Sequence, residues 1–208
     1  MGQLLMLPVP GGLTQDWLAN KTGGVVGDPN GTPVQQLVWN YGNYQEQGHD
    51  GWDQQANVGD LIVAPGSARV VFAGWGQDMP ADIAAEWGFI YGPNGSGSGI
   101  ISLLDHGIIN GARHGTYHAH QSEIIAPTWS WVEPGQAIGR VGVTGRSGGS
   151  HLHWSVVELP VNYYDPLYSR KNPALFLPPG WVIPYVAGGT GDPATRRKTL
   201  VGLPGIYI

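Results

Sequence analysis

Glycine and proline punctuate this 208-residue chain so densely, 34 and 17 times, that long helices have no room to form. Only 12% of the residues are charged, and the stretches between interruptions read as short strands. The expected fold is mainly β: one domain built on an antiparallel β-sheet or split barrel, with a short helix and Gly/Pro-rich terminal extensions. Strands are expected at Leu61–Ala64, Ala68–Ala73, Ile100–Leu104, Gly115–His120, Gln136–Val141 and His151–Val157. A short one is expected at Gln35–Trp39, after the turn signal Asp28-Pro29-Asn30-Gly31. The helix is Pro80–Trp87, with Pro80 at its first position. By composition the chain divides into an irregular N-terminal extension (1–40), a main domain (41–177) and a C-terminal extension or docking tail (178–208).

Several function classes drop out at once. A net charge of -5, with cations scattered apart from Arg196-Arg197-Lys198, argues against nucleic-acid binding. No apolar stretch approaches the ~20 residues of a membrane span. Met1–Pro8 lacks a positive start and its apolar run is stopped by Pro8 and Pro10, so it reads poorly as a secretory leader. Cysteine is absent, which leaves histidine and carboxylates as the only donors for a transition metal.

Those donors occur in a pattern. In His49-Asp50-Gly51-Trp52-Asp53, two ordinary zinc-binding side chains are separated by three residues, and Gly51 is expected to let the backbone turn so that both face one ion. In His151-Leu152-His153 the two rings project from one face of a strand, natural for a metal ligand beside a catalytic group. His120 stands on a strand whose alternation groups it with Thr116 and His118. Three protein ligands and an open fourth position make a catalytic zinc site. Of the rest, His106 is expected to hydrogen-bond near a turn and His114 to be exposed, while Trp52 and Trp154 are expected to pack behind the site.

Gly48 to Glu158 resembles the lysostaphin-type zinc metallopeptidases, which are peptidoglycan endopeptidases. The resemblance rests on His49-x-x-x-Asp53, on Thr144-Gly145-Arg146-Ser147-Gly148-Gly149-Ser150-His151-Leu152-His153, on Gly135-Gln136-Ala137-Ile138-Gly139 and on His120-Gln121-Ser122, in the family's order. It implies a Zn2+ cofactor held by His49, Asp53 and His153, with His120 and His151 as catalytic histidines. The family's usual tyrosine two residues before that histidine is replaced by His118, so His118 competes with His120 for the role.

Peptide bonds of bacterial peptidoglycan are the implied substrate. Without a leader, the enzyme is expected on a phage particle, at a tail tip and in contact with other phage structural proteins, opening the wall during entry. A soluble lysis enzyme released from the host cytoplasm is the first alternative, and a non-catalytic plug or wall-binding module of the same fold is the second. The connection from Trp75 to Gly99 is expected to form one side of the substrate cleft.

Overall fold

The computed structural model describes residues 5–15, 17, 49–89, 96–165, 168–181, 183 and 185–190. The expected strand at 35–39, the turn at 28–31 and the cationic cluster at 196–198 lie outside the described residues. Within them the strands are β1 (Leu13–Gln15), β2 (Trp52–Gln55), β3 (Leu61–Val63), β4 (Ala68–Trp75), β5 (Ile100–Ile109), β6 (Ala112–Ile124), β7 (Trp131–Val132), β8 (Ala137–Val141), β9 (His151–Glu158), β10 (Arg170–Lys171) and β11 (Tyr185–Thr190). They join in one sheet whose main path runs β11-β1-β2-β9-β6-β5-β4-β7; β10 pairs with β9, and β8 links β3 to β6. All pairs are antiparallel except β1 with β11. The path stays open, so the mainly β antiparallel expectation holds as a sheet and not as a closed barrel.

Each central strand feeds two cores, because successive side chains point to opposite faces. On the back face Leu152, Trp154 and Val156 of β9 pack with Ile62, Val70, Leu104 and Ile138. Leu5, Val9 and Leu13 join this cluster, so the N-terminal stretch contributes a strand and three core residues where irregular chain was expected. On the front face Tyr117, Ala119 and Val157 pack with Ile101, Leu103 and the only α-helix among the described residues, α1 (Ala81–Trp87). Pro80 caps α1 from just outside instead of opening it, and Gly88, at φ 77, ends it. Trp87 presses against Gly115: a Cβ there would come within 2.2 Å of the indole, so only glycine lets helix and sheet close.

β5 and β6 are longer than expected because Asn110-Gly111, at φ 52 and 89, makes a two-residue hairpin turn between Ile109 and Ala112. The hairpin draws His114 into the sheet. It is buried, donates from Nδ1 to the Ala112 carbonyl (3.0 Å) and meets Phe176 edge-on, which corrects the exposed position expected for it. His106 is buried too, donating from Nδ1 to the Ser67 carbonyl (3.0 Å) and accepting at Nε2 from Thr116 (2.8 Å).

His118 points into the back core. Its ring lies parallel to Trp154, and neither nitrogen makes a hydrogen bond of normal geometry among the described residues. Burial pushes His118 down to about 3 and His106 down to about 4. Both rings therefore stay neutral in the folded chain at pH values where the unfolded chain, with a histidine near 6.5, already binds protons. The sign follows from linkage: stability is complete above about pH 6.5 and is lost as the pH falls towards 4, by about 1.4 kcal/mol per pH unit for each such ring. The melting temperature should accordingly drop between pH 7 and pH 5, and His118→Leu should flatten that slope. Parallel pH profiles for the two proteins would discount the buried-histidine account.

Candidate metal centre

β2 and β9 lie side by side in direct register, with Asp53 opposite His153 and Gln55 opposite His151. Opposed residues of an antiparallel pair put their side chains on the same face within about 5.5 Å, so Asp53, His151 and His153 converge without any loop needing to reach. His49 arrives from the bend before β2. Gly51 makes that approach possible by its smallness, not by a turn: a Cβ there would sit 2.4 Å from the Trp154 carbonyl and 2.5 Å from Ser155 Oγ.

Three donor atoms meet at one point. His49 Nε2 is 3.0 Å from His153 Nδ1 and 3.2 Å from Asp53 Oδ1, and His153 Nδ1 is 3.0 Å from the same oxygen. Tetrahedral zinc with bonds of about 2.0–2.1 Å needs donors roughly 3.3 Å apart, so the triangle fits the ion closely. The set His49, Asp53 and His153 is the one group among the described residues able to hold a metal ion in this way. Two imidazoles and a carboxylate match zinc chemistry, and the triangle leaves a fourth corner for solvent or substrate. Burial works to raise Asp53, but the His49, His151 and His153 rings around it hold its carboxyl well below the usual range, so it meets an ion already charged.

His120 reaches the same face by breaking the alternation of β6. Regular pleating would group it with Thr116 and His118 in the back core. Instead its backbone turns left-handed, at φ 60, where the β6–β8 and β5–β6 registers slip, and its ring swings to the front. There it lies with its ring centre 4.9 Å from that of His151 and 6.3 Å from that of His153. His118 and His120 are thus on opposite faces, which corrects the reading of Thr116, His118 and His120 as one row. It also removes His118 from competition for a place beside the metal triangle.

The two histidines at the rim of the triangle, His120 and His151, are held alike. His120 Nδ1 donates to the Thr144 carbonyl at 2.8 Å, and His151 Nδ1 donates to the Gly149 carbonyl at 2.9 Å. A ring whose proton is kept on Nδ1 by a carbonyl presents a bare Nε2 as a base. His151 Nε2 is 3.6 Å from Asp53 Oδ1, at the edge of the triangle. Burial, reinforced by His151 and His153, pushes His120 down to about 4, which keeps it neutral near pH 7.

Thr144 opens the Thr144–His153 motif, and its role is set by contacts that the motif does not display. Beyond its carbonyl, its hydroxyl donates to the Gln121 carbonyl (2.7 Å) and accepts from Ile100 N–H (2.9 Å), so one residue pins the β6 bulge, the start of β5 and the loop before β9. Tyr117 lies on the front face with its hydroxyl donating to Ser98 at 2.6 Å and its ring centre 5.3 Å from that of His153. Together with Arg146 N–H donating to the Gly97 carbonyl at 2.7 Å, this brings the end of the 75–99 connection beside the site. Trp52 and Trp154 meet edge to face, with ring centres 5.8 Å apart, on the far side of the strands that carry Asp53 and His153, and so pack behind the site as expected.

Residues 47–166 match the model of peptidase family M23. Among solved structures, the catalytic domain of lysostaphin from Staphylococcus simulans is 26% identical, with 62% of this chain and 79% of that one covered and a TM-score of 0.46. Whole lysostaphin is 24% identical, with 81% of this chain covering 54% of that one, about half its length, at a TM-score of 0.45. EnpA, a prophage-encoded M23 protein from Enterococcus faecalis, is 20% identical, with coverages of 82% and 95% and a TM-score of 0.46. No curated protein is similar enough to match. The family match spans more than half of the chain and takes in all five residues of the site, and the chain belongs to peptidase family M23, the zinc-dependent metalloendopeptidases of peptidoglycan.

Proposed function

We propose that this enzyme hydrolyses peptide bonds of bacterial peptidoglycan with a zinc ion held by His49, Asp53 and His153, and that His120 and His151 handle the protons. The observation that carries the reading is the triangle of donor atoms 3.0–3.2 Å apart, with two carbonyl-tethered imidazoles at its rim. Zinc, when bound, lowers the pKa of a coordinated water from 15.7 to about 7 and polarises a carbonyl oxygen. The chain's own groups do the remainder. One of the paired histidines takes the proton of the attacking water at Nε2, retaining its Nδ1–H bond to the backbone, and passes it to the leaving amine. The other, tethered through Nδ1 in the same way, presents Nε2 as an acceptor that orients the attacking water.

The catalytic domain is taken as 41–177, between extensions 1–40 and 178–208. The Trp75–Gly99 connection forms one wall of the cleft, supported by the links from Ser98 to Tyr117 and from Gly97 to Arg146. Met79, Ile83, Ala84 and Trp87 of that connection belong to the front core, so its substrate-facing part is its end, near Ser98. Carriage on a phage particle, at the tail tip, is the favoured setting. It is supported by how much chain lies outside the matched residues, and by β1 and β11, which add to the sheet edge next to β2 and offer a place for other virion proteins to dock.

His153→Ala should lose stoichiometric zinc and wall-digesting activity together. His120→Ala and His151→Ala should keep zinc while activity falls roughly 100- to 10,000-fold. Full activity in the metal-free protein, or in His153→Ala, would overturn the zinc assignment, and a wild-type protein with neither zinc nor wall-digesting activity would favour a structural plug. Changing Ser98 to Ala should alter preference among defined wall fragments, read by mass spectrometry of the new amino termini, at unchanged zinc content; identical product patterns would remove the cleft wall from the account. Antibody labelling should find the protein on purified particles of the phage that encodes it, and a free monomer without affinity for virion proteins would favour a lysis enzyme.

A further inference from the structure

His153 uses Nδ1 in the donor triangle and turns its other nitrogen towards two acceptors. Nε2 lies 3.1 Å from Ser155 Oγ and 3.5 Å from Asp50 Oδ1. The second carboxylate oxygen of Asp50 is 3.5 Å from Nε of Arg170, which β10 carries in from beyond the residues matched to the family. Arg170 is itself buried and fixed. Its Nη1 donates to the Trp87 carbonyl at 3.0 Å, and its guanidinium lies 5.3 Å from the centre of the Phe89 ring. Asp50 Oδ1 and Arg170 Nε are both buried and make no closer hydrogen bond among the described residues.

From this geometry we propose that Asp50, clamped by Arg170, is a positioning residue of the metal centre, acting through His153. A histidine that binds a metal through Nδ1 must carry its proton on Nε2, and an acceptor facing Nε2 fixes that tautomer and the ring's orientation. Ser155 supplies a neutral acceptor at Nε2. The nearby carboxylate adds negative charge, which makes Nδ1 a stronger donor. Arg170 has a distinct task. Asp50 follows a proposed ligand directly in sequence, and an untethered carboxylate there could swing in to compete for the ion. The buried guanidinium holds it on the Nε2 side of His153. Three elements, the bend before β2, β9 and β10, thereby set the affinity of one site.

The inference rests on His153 being a ligand, so the test reads metal affinity before activity. Zinc dissociation constants would be measured on the full chain by competition with a chromophoric chelator, together with melting temperatures with and without zinc. Asp50→Asn should weaken zinc 10- to 100-fold and shrink the zinc-induced rise in melting temperature, while the metal-free protein melts close to the wild type. Arg170→Gln should shift affinity in the same direction, with Arg170→Lys recovering part of the loss. A zinc affinity within twofold of the wild type in Asp50→Asn would overturn the proposal and leave Asp50–Arg170 a structural pair. Should Asp50→Asn fail to fold, Asp50→Glu and Arg170→Lys carry the same comparison, and unchanged affinity in both would overturn it equally. A wild-type protein that takes up no zinc would refute the ligand assignment itself, a failure distinguishable from unchanged affinity in the variants.

Discussion

The site depends on the direct pairing of β2 with β9. One step of that ladder sets Asp53 against His153 on the front face, and the adjacent step sets Trp52 against Trp154 on the back. The ladder hydrogen bonds that define the sheet therefore also define the distance between two of the proposed ligands. The edge-to-face indoles, both buried, pin the same strands from behind. A shift of one residue would send the ligands into the apolar core and the tryptophans towards water, so burial enforces the register that the chemistry needs. Gly51 completes the arrangement by letting the preceding bend press against β9 closely enough for His49 to reach the same point.

Around this rigid pair the remaining polar groups are held by backbone, not by other side chains alone. Carbonyls of Thr144 and Gly149 fix the tautomers of His120 and His151, and Thr144 is tied in turn to β5 and to the β6 bulge. Backbone acceptors do not titrate, so these two anchors keep their accepting character at any pH. Electrostatic pre-organisation of this kind suits a hydrolase, whose groups must not rearrange as charge develops.

Much of this was legible in the sequence for a simple reason. Ligand spacing and strand alternation are local properties, and His151, His153 and the six expected strands obey them. What escaped was non-local or depended on a single backbone torsion. His120 could not be separated from His118 by alternation, because a left-handed residue within the strand inverts the pattern from that point onward. His114 reads as exposed between Gly107 and Gly115 because its burial depends on the Asn110-Gly111 turn folding that stretch into a hairpin. The meeting of Asp50 with Arg170 joins residues 120 positions apart and leaves no trace in either neighbourhood. Gly51 was recognised as necessary, but for a turn, when close packing is what excludes a side chain.

The left-handed backbone of His120 has a consequence for how position 120 would respond to selection. Glycine and asparagine occupy that conformation with less strain than a ring-bearing residue, which pays roughly 1–2 kcal/mol to be there. With His120 in the proposed proton-handling role, a library screened only for thermal resistance would drift towards those two residues, and one screened for turnover would return to histidine. The position then lies on a stability–activity trade-off, where thermostabilised descendants would most easily lose proton transfer while keeping the donor triangle.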